Sequence, residues 1–80
     1  AESSSGGAIS ARLLAVPGAS SFFAGGVVCY SSQSKFKLLG LDKTASAPSA
    51  TKQHAIELAD AARTVLGTEW GIGETGVAGE

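Results

Sequence analysis

Pro17 to Gly40, PGASSFFAGGVVCYSSQSKFKLLG, is the stretch on which the reading of this chain turns. Gly25-Gly26 breaks the chain, and Val27-Val28-Cys29-Tyr30 follows as an unbroken run of β-favouring residues. A run with no alternation predicts a strand buried on both faces, as in a parallel sheet. Ser31 or Ser32 then caps a short helix through Phe36, Leu38 and Leu39, and Gly40 closes it. Phe22 and Phe23, just ahead of the glycines, read as core residues. Hydroxyls at Ser20 and Ser21, a phenol at Tyr30 and an amine at Lys35 flank the predicted strand, near enough along the chain to share one cleft. The working hypothesis for that cleft is a Ser20 nucleophile with Lys35 as its base. A cation near a helix start opposes the helix dipole and gains nothing locally. Burial there makes its proton easier to lose, and a neutral amine can take a proton from a serine hydroxyl. A plain exposed lysine, as Lys37 reads, is the rival.

Working outward, AESSSGG at Ala1–Gly7 reads as a turn feeding a helix, with Ser3, Ser4 and Ser5 as candidate caps. Ile9 and Leu13, widened by Leu14 and Val16, give one apolar face to Ala8–Ala15, and Pro17-Gly18 ends that helix. On the other side, Asp42–Ala50 is a loop. Thr51 caps a longer helix to Leu66 whose face is Ala55, Leu58, Ala59, Ala62, Val65 and Leu66, with Gly67 ending it. Trp70–Thr75 is a second candidate strand, weakened by Gly71 and Gly73, and Gly76–Gly79 a turn. The order helix, strand, helix, helix, strand predicts an α/β fold.

The chain has 80 residues, 44% hydrophobic and 16% charged, with a net charge of −1. A chain of this size buries only about 60% of its unfolded surface. It is too apolar for a disordered segment and low in charge for a free-standing small domain, so it reads as part of a larger α/β unit. The cations are scattered, with no basic patch for nucleic acid. No apolar stretch reaches membrane-span length and no signal peptide opens the chain; the expected location is the cytoplasm, or an organelle in a eukaryote. The single Cys29 lies in an apolar run and reads as a buried reduced thiol.

Several motifs weigh little. Gly71-Ile72-Gly73-Glu74-Thr75-Gly76 spells G-x-G-x-x-G, but a helix precedes it and none follows, so it is not a dinucleotide fingerprint. Ser32-x-x-Lys35 matches S-x-x-K, as do Ser34-x-x-Lys37 and Ser49-x-x-Lys52, and none has a partner motif. His54, the only histidine, reads as a solvated surface residue, and one His with one Cys makes a structural zinc site improbable. Ser3, Ser5, Gly6 and Gly7 would present N–H groups and a helix dipole to an anion such as a phosphate, although plain capping explains them as well. Thr75-Gly76, at a predicted strand end, is either a ligand-binding edge or a simple turn.

Taken together, AESSSGG, VPGASSFFAGGVVCYS, the K-x-x-LLG that follows and TGVAG resemble the C-terminal domain of the competence/damage-inducible CinA family, the nicotinamide-nucleotide amidases. Order and spacing agree along essentially the whole chain. Ser4 and Ser5 stand where the family motif AESCTGG has Cys and Thr, and Glu80 where TGIAGP has Pro. The resemblance implies a three-layer α/β sandwich with a mainly parallel sheet, here as a fragment, residues 1–80 lacking the domain's first strand and its C-terminal part, including a ligand-contacting arginine. It implies a homodimer, or a place in a larger assembly, and a small-molecule nucleotide substrate. It also implies an amidase without metal or cofactor, in which Ser20 is the nucleophile, Lys35 the general base and Tyr30 a residue lining the site. Ser3 and Thr75 correspond to ligand-contacting hydroxyls, with Ser5, Gly6, Gly7 and Gly76 beside them. Two rivals stand next to this reading. One is a non-catalytic nucleotide-binding or assembly module. The other is a purely structural piece.

Overall fold

The computed structural model describes residues 1–77. Its helices are α1 (Ala8–Leu14), α2 (Ser32–Leu39) and α3 (Lys52–Leu66), with a 3-10 turn at Ala19–Ser21. For α2 and α3 the predicted stops and starts hold. Ser31 Oγ accepts the Ser34 N–H at 3.1 Å and Thr51 Oγ1 accepts the His54 N–H at 3.2 Å, each satisfying a backbone donor that the first turn leaves free. Gly40 and Gly67 end α2 and α3 in the left-handed conformation, with φ of 73° and 67°, which costs glycine nothing.

The three-layer sandwich with a parallel sheet is not present. Among the described residues there is no β-strand, only one parallel bridge, between Glu2 and Val28. The Glu2 N–H donates to Val27 O and the Cys29 N–H to Glu2 O, both at 2.8 Å. On the other side, the Ala1 nitrogen donates to Ile72 O at 2.7 Å and the Glu74 N–H to Ala1 O at 3.0 Å. The backbone hydrogen bonds from segments 24–30 and 70–77 to the opening residues therefore fall on Ala1 and Glu2 alone. A ladder needs a run of paired residues, and the chain turns away from Ser3 onward. Nor is the Val27–Tyr30 run buried on both faces. Cys29 is fully buried and Val27 half-buried, while Val28 and Tyr30 point outward. Phe22, expected in the core, is exposed. The turn expected at Gly76–Gly79 runs beyond the described residues, as does Glu80.

The core is small. Cys29, Leu39 and Leu58 form its centre, with Ala1, Val27, Leu41 and Ala61 packed against them. Cys29 is a free thiol, as expected, and burial pushes its pKa up, with the Lys35 charge pulling the other way. Polar side chains share the interior. Glu2, Ser3, Lys35 and His54 are all buried, and no buried side-chain N or O among the described residues lacks a hydrogen-bond partner, as buried polar groups require.

Gly71 and Gly73 fix how the last extended segment lies on α3. A Cβ at Gly71 would stand 2.2 Å from Ala59 O, and one at Gly73 2.1 Å from Ala55 O. The glycines of the G-x-G sequence thus let two backbones touch, which is a packing role and not a phosphate-binding one.

Candidate functional site: a buried lysine–histidine–glutamate chain

Helix periodicity places the central groups. On α2 the buried residues are Lys35 and Leu39, four apart; on α3 they are His54, Leu58 and Ala62, again four apart. Side chains at this spacing stand on one helix face. When the two faces meet, Leu39 and Leu58 join the apolar core and Lys35 is brought to His54. Lys35 Nζ lies 3.0 Å from His54 Nε2, and His54 Nδ1 lies 3.1 Å from Glu57 Oε1. Lys35 is 7% exposed and His54 3%. The reading of His54 as a solvated surface residue is therefore corrected. Its place on the face of α3 that meets Lys35 of α2, not its sequence surroundings, determines its burial.

Glu57 anchors more than the imidazole. Both of its carboxylate oxygens accept the Ala47 N–H at 3.1 Å, tying loop 42–50 to α3. That loop is itself ordered by Asp42, whose side chain accepts the Thr44 N–H and hydroxyl at 2.9 Å. Between loop and helices lies a cavity of about 290 Å³, lined by Lys35, His54, Lys43 and the serines Ser32, Ser46 and Ser49. Its donors and cations suit a polar, electron-rich ligand.

The serine-glycine turn serves two carboxylates. Glu2 accepts the N–H groups of Gly7, Ile9 and Ser10 at 3.2, 3.0 and 2.8 Å. It caps α1 in place of the expected Ser3, Ser4 or Ser5, since Gly7 at the N-cap has no side chain to offer. Glu74 accepts the N–H groups of Ser3 and Ser5 at 2.8 and 3.0 Å and the hydroxyl of Ser4. Ser5 Oγ lies 2.6 Å from both Glu2 Oε1 and Glu74 Oε1; with one proton it donates to one of them at a time. Burial pushes the Glu2 carboxyl up, but the Ser5 hydroxyl and the Ser10 and Ile9 N–H groups outweigh it and hold it at about 2. For Glu74 burial acts the same way, and the Ser4 and Ser5 hydroxyls with the Ser3 and Ser5 N–H groups hold it at about 2. Gly6 and Gly7 make the turn possible, with φ of 63° and 101°. Thr75 Oγ1 accepts the Ala50 N–H at 3.2 Å, and a Cβ at Gly76 would stand 2.8 Å from Ser4 Oγ.

Ser20 sits on the exposed 3-10 turn, and no hydrogen bond joins it to Lys35. Tyr30 is also exposed. A second, mainly apolar cavity of about 590 Å³ runs from Phe22, Phe23 and Gly26 to Trp70 and Ile72, and Ser21, not Ser20, borders it. Seven of the predicted residues thus fall in three places. Lys35 is buried on His54, Ser20 and Tyr30 lie at the surface, and Ser3, Ser5, Gly6 and Gly7 lie in the turn held by the glutamates. Sequence reasoning missed Glu2, His54, Glu57 and Glu74. The i, i+3 spacing of His54 and Glu57 and the i, i+4 spacing of His54 and Leu58 were the available signals. Among the described residues no group of three His, Cys, Asp or Glu side chains is arranged to hold a metal ion, and no helix is long and apolar enough to cross a membrane.

A helical unit with a buried lysine–histidine–glutamate chain, and apart from it a serine-glycine turn held by two glutamates, is what the structure defines. The pattern of the CinA C-terminal domain matches residues 1–80, and the chain belongs to the CinA family through that domain. It is 46% identical over 81 residues to a protein of Desulforamulus reducens that is a competence-damage inducible protein by name. It is 45% identical over 83 residues to a CinA-like protein of Synechocystis, and 43% identical over 84 residues to an Acetivibrio thermocellus protein that again carries the competence-damage name. In each case 99% of this chain is covered, but only 20% of the relative. The chain thus spans about a fifth of the length of these relatives. No solved structure matches it.

Proposed function

We propose that the protein is an amidase that converts nicotinamide mononucleotide and water to nicotinate mononucleotide and ammonia. The observation that carries this reading is Lys35, a lysine amine withdrawn from solvent and seated on an imidazole, the setting in which an amine serves as a base. Ser20 Oγ attacks the carboxamide carbon while Lys35 accepts the serine proton and delivers it to the departing ammonia. Water then releases the acid from the acyl-serine. Backbone N–H groups of the glycine-rich turns stabilise the oxyanion. Tyr30 lines the site, and Ser3, Ser5, Gly6, Gly7, Thr75 and Gly76 contact the nucleotide. Exposed apolar residues such as Leu14, Phe22 and Trp70 supply surface for a homodimer or a larger assembly, in the cytoplasm.

The test is ammonia release from nicotinamide mononucleotide by the complete protein that carries this chain. Ser20→Ala and Lys35→Ala are expected to abolish it. Ser20→Ala is expected to unfold at the wild-type urea midpoint, because Ser20 is exposed and exposed substitutions usually stay within about 0.5 kcal/mol. Wild-type turnover in either variant overturns these roles. The exposed position of Ser20, without a bond to Lys35, favours one second reading, a module that binds the nucleotide without turning it over. Nucleotide binding with no ammonia release by the wild-type protein selects it.

A further inference from the structure

Lys35 has a partner that the amidase reading does not use. Glu57 is an acceptor when ionised, so the His54 nitrogen facing it at 3.1 Å, Nδ1, carries a proton. That leaves Nε2 with a lone pair directed at Lys35 Nζ, 3.0 Å away. Two cations at that separation, with Lys35 7% and His54 3% exposed, repel strongly. The contact is consistent instead with one proton shared between the two nitrogens, balanced by the Glu57 carboxylate.

Resting on the amidase reading, we infer that His54 is the positioning residue that takes the proton of Lys35, so that the amine becomes a base without losing that proton to water. The Nζ–H bond breaks as the Nε2–H bond forms, giving an imidazolium against Glu57 and a free amine. The amine then accepts the Ser20 proton as the serine oxygen bonds to the carboxamide carbon. It passes that proton to the leaving nitrogen, and ammonia departs. When water has hydrolysed the acyl-serine, Ser20 recovers its proton and the imidazolium returns its own to Lys35. No proton is gained or lost over the cycle beyond those of the water consumed. The other titratable groups around the pair are few. The extended segment contributes the Cys29 thiol, which is coupled to the Lys35 charge. Lys43 of the loop lines the same cavity. On α2, Lys37 is exposed.

The experiment is the pH profile of kcat/KM for ammonia release, in the complete protein, for wild type, His54→Gln and Glu57→Gln. Glutamine can still accept a hydrogen bond from Lys35 but cannot take its proton. Wild type is expected to be flat through neutrality. In His54→Gln the proton must leave for bulk water, so kcat falls about tenfold to a hundredfold at neutral pH, with KM unchanged, and kcat/KM climbs about tenfold per pH unit. Glu57→Gln is expected to fall in the same direction, because the imidazolium loses its counter-charge. A merely structural role would shift the melting point and leave the shape of the profile alone. An active wild type with an unchanged profile in His54→Gln overturns the inference and leaves the amidase reading standing. An inactive wild type overturns the amidase reading and the inference with it. If His54→Gln fails to fold, the wild-type nitrogen NMR spectrum decides. A protonated Nδ1 with Nε2 hydrogen-bonded to Lys35 supports the inference, and the opposite tautomer overturns it.

Discussion

Gly73 and Ala55 touch backbone to backbone, so closely that a Cβ on Gly73 would sit 2.1 Å from the Ala55 carbonyl oxygen. No side-chain rotation relieves such a contact, since both partners are main chain. Gly73→Ala is therefore expected to destabilise by about 1–3 kcal/mol, the range for overpacking a close contact. Gly25→Ala is the control. Its added carbon would meet only Leu66 methyls at 3.7 and 3.8 Å, an ordinary separation, so the urea midpoint stays near wild type. Equal midpoints for the two variants would contradict this packing.

Acid is expected to act through Glu2 and Glu74. Both carboxyls are held at about 2, below their ordinary 4.5, by hydroxyl and N–H donors that outweigh burial. A carboxyl depressed in the folded state binds its proton more readily when unfolded. Its contribution is therefore complete above about pH 4.5 and is lost as pH falls from there toward 2. Glu2→Gln and Glu74→Gln are each expected to flatten the dependence of the urea midpoint on pH across that window. Glu2→Gln also weakens the cap on Ile9 and Ser10, at a cost of about 1–3 kcal/mol above pH 5.

Thr51 links stability to the site. Its hydroxyl accepts the His54 N–H at 3.2 Å and donates to Pro48 O at 2.6 Å. Thr51→Ala is expected to lower stability by about 1 kcal/mol, and Thr51→Ser to restore most of it. Thermal melts of the three proteins check this.

What the sequence makes legible here is local. Thr51, Ser31, Gly40 and Gly67 announce helix ends through chemistry confined to three or four neighbours, and the helices lie where those residues put them. Family membership was legible from the motif order. Pairing across the chain was not. The Val27–Tyr30 run looks like a doubly buried strand, yet only Glu2 bridges to it, and Val28 and Tyr30 face outward. Composition says how readily a segment extends, not how much partner it finds. His54 was misread for the same reason. Its burial depends on Lys35, nineteen positions earlier on another helix. Glu2 and Glu74 were hidden because half or more of the donors that hold each are backbone N–H groups, which every residue but proline carries.

The carboxylate of Glu74 grips amides at Ser3 and Ser5 from 71 and 69 positions away. During synthesis the Ser3 and Ser5 amides therefore lack this acceptor until the segment carrying Glu74 has left the ribosome. Closing so long a span carries an entropic cost before any bond rewards it. Docking of Glu74 should accordingly be a late event in folding of this unit, and a ribosome-stalled chain ending before Glu74 is expected to leave the turn at residues 3–7 open to proteases.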